Sequence, residues 1–109
     1  MERFIKGDVV IIPFPFSDLS GSKKRPAMVL VDLQGEDVML CQITSQPKDN
    51  TSVPLTTKDF SSGTLPVNSY IRPTRIFTAD KSTIIRKAGA AKSVITQAVV
   101  KSIIEMLSK

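Results

Sequence analysis

Two short stretches of this chain hold side chains suited to phosphate chemistry. The first is Lys23-Lys24-Arg25, at the end of a polar loop, Ser17 to Lys24, just before an apolar run that starts at Pro26. A guanidinium placed there can hold a phosphate through two parallel hydrogen bonds, and it stays charged when partly buried. The plainer reading of the triplet is a solvated basic loop. The second stretch is Thr44-Ser45-Gln46, following the apolar run Val38 to Ile43. Two hydroxyls and an amide can orient a phosphate or a ribose, although such a triplet also serves simply as a turn. Neither stretch is specific alone.

Missing residue types narrow the chemistry further. The chain has no histidine, which removes the imidazole acid–base pair and the Ser-His-Asp and Cys-His triads. Its 10 carboxylates are scattered, with no D-x-D cluster for a two-metal site, and its 5 glycines form no phosphate-binding loop. The single Cys41 lies in an apolar run and, without a second thiol or a histidine, forms neither a disulfide nor a zinc site; it reads as a core thiol. No metal and no cofactor is therefore expected. An enzyme built from this chain must use arginine, lysine, hydroxyls, amides or a lone carboxylate. A net charge of +5 favours polyanions but excludes little.

These residues need elements to position them, and 109 residues allow one domain, 1–109. Val9 to Ile12 is β-branched and bounded by Gly7-Asp8 and Pro13, which predicts a strand. Pro13-Phe14-Pro15-Phe16 lacks ladder donors at each proline, so it is expected to leave the strand as an extended arm. Pro26 to Asp32 is apolar on both parities, predicting a strand covered on both faces. Gln34-Gly35-Glu36-Asp37 reads as a hairpin turn and Val38 to Thr44 as the returning strand. Asn50 to Leu55, Ser69 to Thr78 and Ile84 to Arg86 are further strand candidates, with an edge, bulge or bend at Pro73. Thr57 to Gly63 can hold one helical turn. From Ser93, read as an N-cap, the period changes: Ile95, Ala98, Val99, Ile103, Met106 and Leu107 form one helical stripe to about Leu107. The pattern predicts a mainly β, α+β fold: a small antiparallel barrel of five to six strands with one C-terminal helix. No apolar run approaches the roughly 20 residues of a membrane span, and Met1 to Lys6 is not followed by a signal-peptide core. A cytoplasmic protein without membrane contact is the expectation.

The segment from Gly7 to Leu30, with its Gly7-Asp8 and Lys24-Arg25-Pro26-Ala27-Met28-Val29-Leu30, closely resembles the N-terminal signature of the MazF/PemK-like toxins. Ile43-Thr44-Ser45-Gln46, Leu65 to Pro73 and Phe77 to Lys81 resemble that family's later blocks, in order. The resemblance implies an SH3-like barrel, of the CcdB/MazF/PemK kind, that forms a homodimer. It implies the toxin half of a type II toxin–antitoxin pair, cutting single-stranded RNA without metal. Attack by the ribose 2′-OH would leave a 2′,3′-cyclic phosphate and a 5′-OH end. Arg25 and Thr44 are the catalytic positions it carries over.

Substrate-binding positions expected around them are Phe16, Ser17, Lys23, Lys24, Ser45, Gln46 and Arg75. Phe16 could stack on a base or serve as a core or interface aromatic, and the loop Ser17 to Lys24 could act as a flap. One block departs from the family: Phe77 stands before Thr78 where many relatives have arginine, and Arg75, on the same strand face, is the candidate replacement. The resemblance also implies a small acidic antitoxin as partner, and operator DNA contacted only through the antitoxin complex. Two alternatives use the same scaffold, a CcdB-like gyrase inhibitor and a barrel that binds nucleic acid without cutting it.

Overall fold

Strands that are apolar on both parities need cover on both faces, and the centre of this molecule supplies it. The structure, a computed structural model, describes residues 3–14, 23–47 and 49–109. Seven strands, β1 (Asp8–Phe14), β2 (Lys23–Asp32), β3 (Asp37–Thr44), β4 (Val53–Leu55), β5 (Phe60–Gly63), β6 (Ser69–Asp80) and β7 (Arg86–Ala91), precede one helix, α1 (Ser93–Leu107). The strands pair antiparallel in the order β4-β6-β3-β2-β1-β7-β5. They curl into a nearly closed barrel, the mainly β fold with a C-terminal helix expected from the sequence.

Period-2 alternation sorts the central side chains into two clusters. Val9, Met28, Leu30, Cys41, Ile43 and Ile71 join Leu55, Phe60, Leu65 and Val99 of α1 on one face. Val10, Ile12, Phe14, Ala27, Val29, Val38 and Leu40 gather with Phe4 on the other. Burial on both faces of β2 follows directly.

The Gly7-Asp8 pair locks the start of β1. Gly7 has φ +97°, and a Cβ there would stand 2.9 Å from Thr96 Oγ1 of α1, so only glycine lets the helix approach. Asp8 is fully buried; its Oδ2 accepts the Ile5 N–H at 2.9 Å and its Oδ1 meets Lys87 Nζ of β7 at 3.1 Å. The hairpin between β2 and β3 turns through Gln34 at φ 55° and Gly35 at φ 130°.

Among the described residues seven strands stand where five to six were expected, and several boundaries differ: β2 begins at Lys23 rather than Pro26 and β4 at Val53 rather than Asn50. β1 continues through Pro13, which pairs with Lys24; β7 last pairs with β1 at Ile11, so among the described residues Pro13 has a strand neighbour on one side only, a position that tolerates proline. The turn at Thr57 closes by Asp59, and Phe60–Gly63 is a strand on β7. β7 begins at Arg86, where Ile84 to Arg86 was the expected strand. α1 spans the expected residues, but Lys92 is its N-cap and its backbone oxygen takes the Thr96 N–H; Ser93 is already helical. Along α1, Ile95, Thr96, Val99 and Ile103 face the barrel, whereas Ala98 and Leu107 of the expected stripe are exposed.

Candidate active site

The second of the two faces changes character along its length. At one end β3 presents Val38 and Leu40, both fully buried; continuing with period 2 it presents Gln42 and then Thr44. On β2 the same face runs Val29, Ala27, Arg25; on β6 it runs Ala79, Phe77, Arg75. Apolar packing thus passes into a polar, cationic end without a break in the sheet. There a groove of about 740 Å³ opens, lined by Phe14, Arg25, Gln42, Thr44, Ser45, Gln46, Arg72, Arg75, Ile76 and Phe77.

A bulge delivers two of the three arginines. Cys41 pairs with Ile76 and Ile43 with Ile71, so Gln42 alone on β3 opposes Arg72-Pro73-Thr74-Arg75 on β6. The extra residues leave the ladder, as bulges beside active sites commonly do, re-aiming their side chains. Pro73 is the bulge or bend anticipated from the sequence.

Thr44 is 8% exposed, and its Oγ1 accepts the Gln46 N–H at 3.2 Å. That bond orients the oxygen and fixes the turn carrying Ser45 and Gln46, both exposed. Arg25 is half-buried, held by a strand paired on both sides near it: Ile12 opposes Arg25, and Gln42 opposes Ala27. Among the described residues no carboxylate lines the groove. Beside it stands Asp49, whose Oδ2 lies 3.7 Å from Arg72 Nη2 and accepts from Thr74 Oγ1 at 3.1 Å. Asp49 also accepts from the side chain and backbone of Thr51, and these bonds hold its carboxyl below the usual range. Phe77 packs edge to face on Phe14, ring centroids 4.9 Å apart at 80°, and forms the apolar wall.

Of the residues singled out in the sequence, Arg25, Thr44, Ser45, Gln46 and Arg75 come together here. Lys23 and Lys24 are exposed at the start of β2, paired with Phe14 and Pro13, and do not line the groove. Phe16 and Ser17 lie outside the described residues. Sequence reasoning missed Gln42, Arg72, Phe14 and Ile76. Gln42 did carry a signal, as the lone polar residue in the run Val38 to Ile43 and two positions before Thr44, hence on its face. For Arg72 the adjacent Pro73 marked a bulge or bend but not which side chains it would turn into the groove, since the pairing that loops out 72–75 is not written in local pattern.

Residues 5–107 match the model of the PemK-like, MazF-like toxins of type II toxin–antitoxin systems. The chain belongs to that family. Solved structures agree in fold. An endoribonuclease in complex with its cognate antitoxin, from a mycobacterial species, is 16% identical at a TM-score of 0.75, covering 99% of this chain and 96% of that one. MazF from Deinococcus radiodurans is 20% identical at 0.74, covering 95% and 96%. The Mycobacterium tuberculosis toxin MazF-mt6 is 17% identical at 0.74, covering 93% and 96%. No curated protein matches the chain in sequence. Among the described residues no helix is long and apolar enough to cross a membrane.

Proposed function

We propose that this family member is an endoribonuclease toxin that cleaves single-stranded RNA without a metal ion, and that the arginine-lined groove is its active site. The observation that carries the reading is the convergence of Arg25 and Thr44 on one sheet face, in a groove with no carboxylate among its described lining residues and large enough for a nucleotide.

A ribose 2′-OH attacks the adjacent phosphorus in line; its proton passes to water, the bond to the 5′ oxygen breaks, and that oxygen takes a proton from water, leaving a 2′,3′-cyclic phosphate and a 5′-OH. Charge builds on the non-bridging oxygens as the phosphorus becomes five-coordinate. Arg25, fixed by its strand before substrate arrives, neutralises that charge with little reorganisation, an effect worth about 100- to 1,000-fold for one preorganised donor. Thr44, oriented by its turn, donates its hydroxyl to the phosphate and holds it in line. Arginine is too weak an acid for easy proton donation, so its role is electrostatic. Arg72 and Arg75 hold the neighbouring backbone, and Ser45 and Gln46 contact the ribose or phosphate at the exit of β3. Lys23 and Lys24, outside the groove wall, attract the polyanion at longer range.

The proposal includes a homodimer, a cytoplasmic setting, and a small acidic antitoxin whose extended segment covers the groove. Operator DNA would be met only through that complex. Purified protein incubated with mixed-sequence single-stranded RNA and excess chelator tests the enzymatic reading. Cleavage that persists with chelator and drops at least 100-fold in Arg25→Ala supports it. Intact RNA with altered plasmid topology would point to a gyrase inhibitor, and binding without cleavage to a simple nucleic-acid-binding barrel.

A further inference from the structure

Gln42 stands between the apolar and cationic halves of the groove, and no role above requires an amide there. Its cross-strand neighbour on β2 is Ala27, fully buried and too small to reach it. On the β6 side the facing residues, Arg72 to Arg75, leave the ladder in the bulge, so no paired residue stands across from it there. Among the described residues its side-chain amide makes no hydrogen bond, although Gln42 is half-buried. Above it on the same face Leu40 is sealed in the core; beside it lie Ile76 and Phe77. A half-buried amide on a central strand, facing the groove and unbonded to any described residue, favours a ligand edge that matches it and penalises one that does not.

We propose that Gln42 is a specificity-determining residue: its amide reads one base of the RNA next to the cleaved phosphodiester. This rests on the nuclease reading above. Gln42 and Thr44 are alternate residues of one strand, about 7 Å apart along it. A nucleotide whose phosphate lies between Arg25 and Thr44 can therefore turn its base toward Gln42, over Phe77. Single-stranded RNA is read by such contacts, bases splayed onto apolar or aromatic side chains and hydrogen-bonded along an edge. A glutamine amide offers N–H beside C=O and so meets a base edge in two parallel bonds, with adenine the base it most often selects in nucleic-acid complexes. The flanking arginines supply affinity for any sequence; the amide supplies choice.

Sequencing the RNA ends produced by the wild type, Gln42→Leu and Gln42→Met from one mixed-sequence substrate tests this. Both substitutions roughly keep side-chain volume and remove the donor and the acceptor of the amide together. The expected result is a base preference at one position beside the cut in the wild type, with adenine first, that falls about 10-fold or more in both variants while preferences elsewhere persist. Thermal unfolding of each variant verifies that it is folded at the assay temperature. Variants that cut with the wild-type preference at every position overturn the assignment and leave the nuclease reading intact. A wild type that cuts no RNA overturns the nuclease reading, and this inference with it.

Discussion

The Asp8 carboxylate separates scaffold from chemistry. Gly7-Asp8 is part of the pattern by which the family is recognised, yet Asp8 does not line the groove. Its side chain is 1% exposed, while that of its partner Lys87 is 37% exposed. Replacing Asp8 by alanine removes the acceptor of the Ile5 N–H and leaves Lys87 without its carboxylate. Breaking a fully buried ion pair costs about 3–5 kcal/mol, but Lys87 can turn its ammonium to water, which lowers the figure. A hydrogen bond to a charged group is worth about 1.5–3 kcal/mol, so the total expected for Asp8→Ala is about 2–3 kcal/mol. Asp8→Asn keeps an oxygen for Ile5 and loses only the ion pair, about 1 kcal/mol. At roughly 4 °C per kcal/mol for a domain of this size, the midpoints fall by about 10 °C and about 4 °C. Thermal unfolding followed by circular dichroism reads the shifts, and initial rates on a short RNA at 25 °C read the groove. Cleavage within about twofold of wild type is expected for both folded variants. Unchanged midpoints in both, or a folded Asp8→Asn that has lost cleavage 100-fold, would refute the reasoning.

Other outcomes follow from the same geometry. Arg72→Ala is expected to raise KM for RNA about 10-fold, because it removes a cation from the groove wall, while Asp49→Asn, which frees Arg72 from the carboxylate paired with it, lowers KM; steady-state kinetics at low salt checks both. Burial pushes the Cys41 thiol up to about 12, so alkylation at pH 8 should be negligible in the native protein and complete after unfolding, read by intact mass. Asp32, Asp49, Asp59 and Asp80 have carboxyls lowered from 3.8 by hydrogen bonds, from Lys81 and from the Thr51, Thr56 and Ser82 turns respectively. Because the folded values are depressed, their contribution is present above pH 3.8 and disappears as pH falls through the lowered values. The midpoint should therefore drop steeply below about pH 4, and Asp59→Asn should flatten that drop.

What the sequence discloses and what it hides divide along local and non-local pairing. The places of Arg25 and Thr44 near strand ends were legible from proline, turn residues and apolar runs, whereas their pairing as candidate catalytic residues came from the family resemblance. Burial on both faces of β2 was legible from its parity. β7 escaped because Lys87-Ala88-Gly89-Ala90-Ala91 has no β-branched residue; close approach selects it, since a Cβ on Gly89 would stand 2.4 Å from Ser62 O of β5. Only small residues allow those strands to meet, and propensity does not register that need. Arg72 was hidden by the bulge, which is defined by what β3 does rather than by β6 itself. Phe77 looked like a loss where relatives carry arginine, yet the bulge brings Arg72 and Arg75 to the same groove and leaves Phe77 to pack on Phe14.

The chemistry of the cut ends tests the central claim most directly. RNA cleaved in excess chelator, its fragments weighed by mass spectrometry, should carry 2′,3′-cyclic phosphates and 5′-hydroxyls, the ends left when the neighbouring 2′-OH attacks a phosphate held by Arg25 and Thr44. Fragments with 5′-phosphates, or cleavage that appears only when a divalent ion is restored, would contradict it.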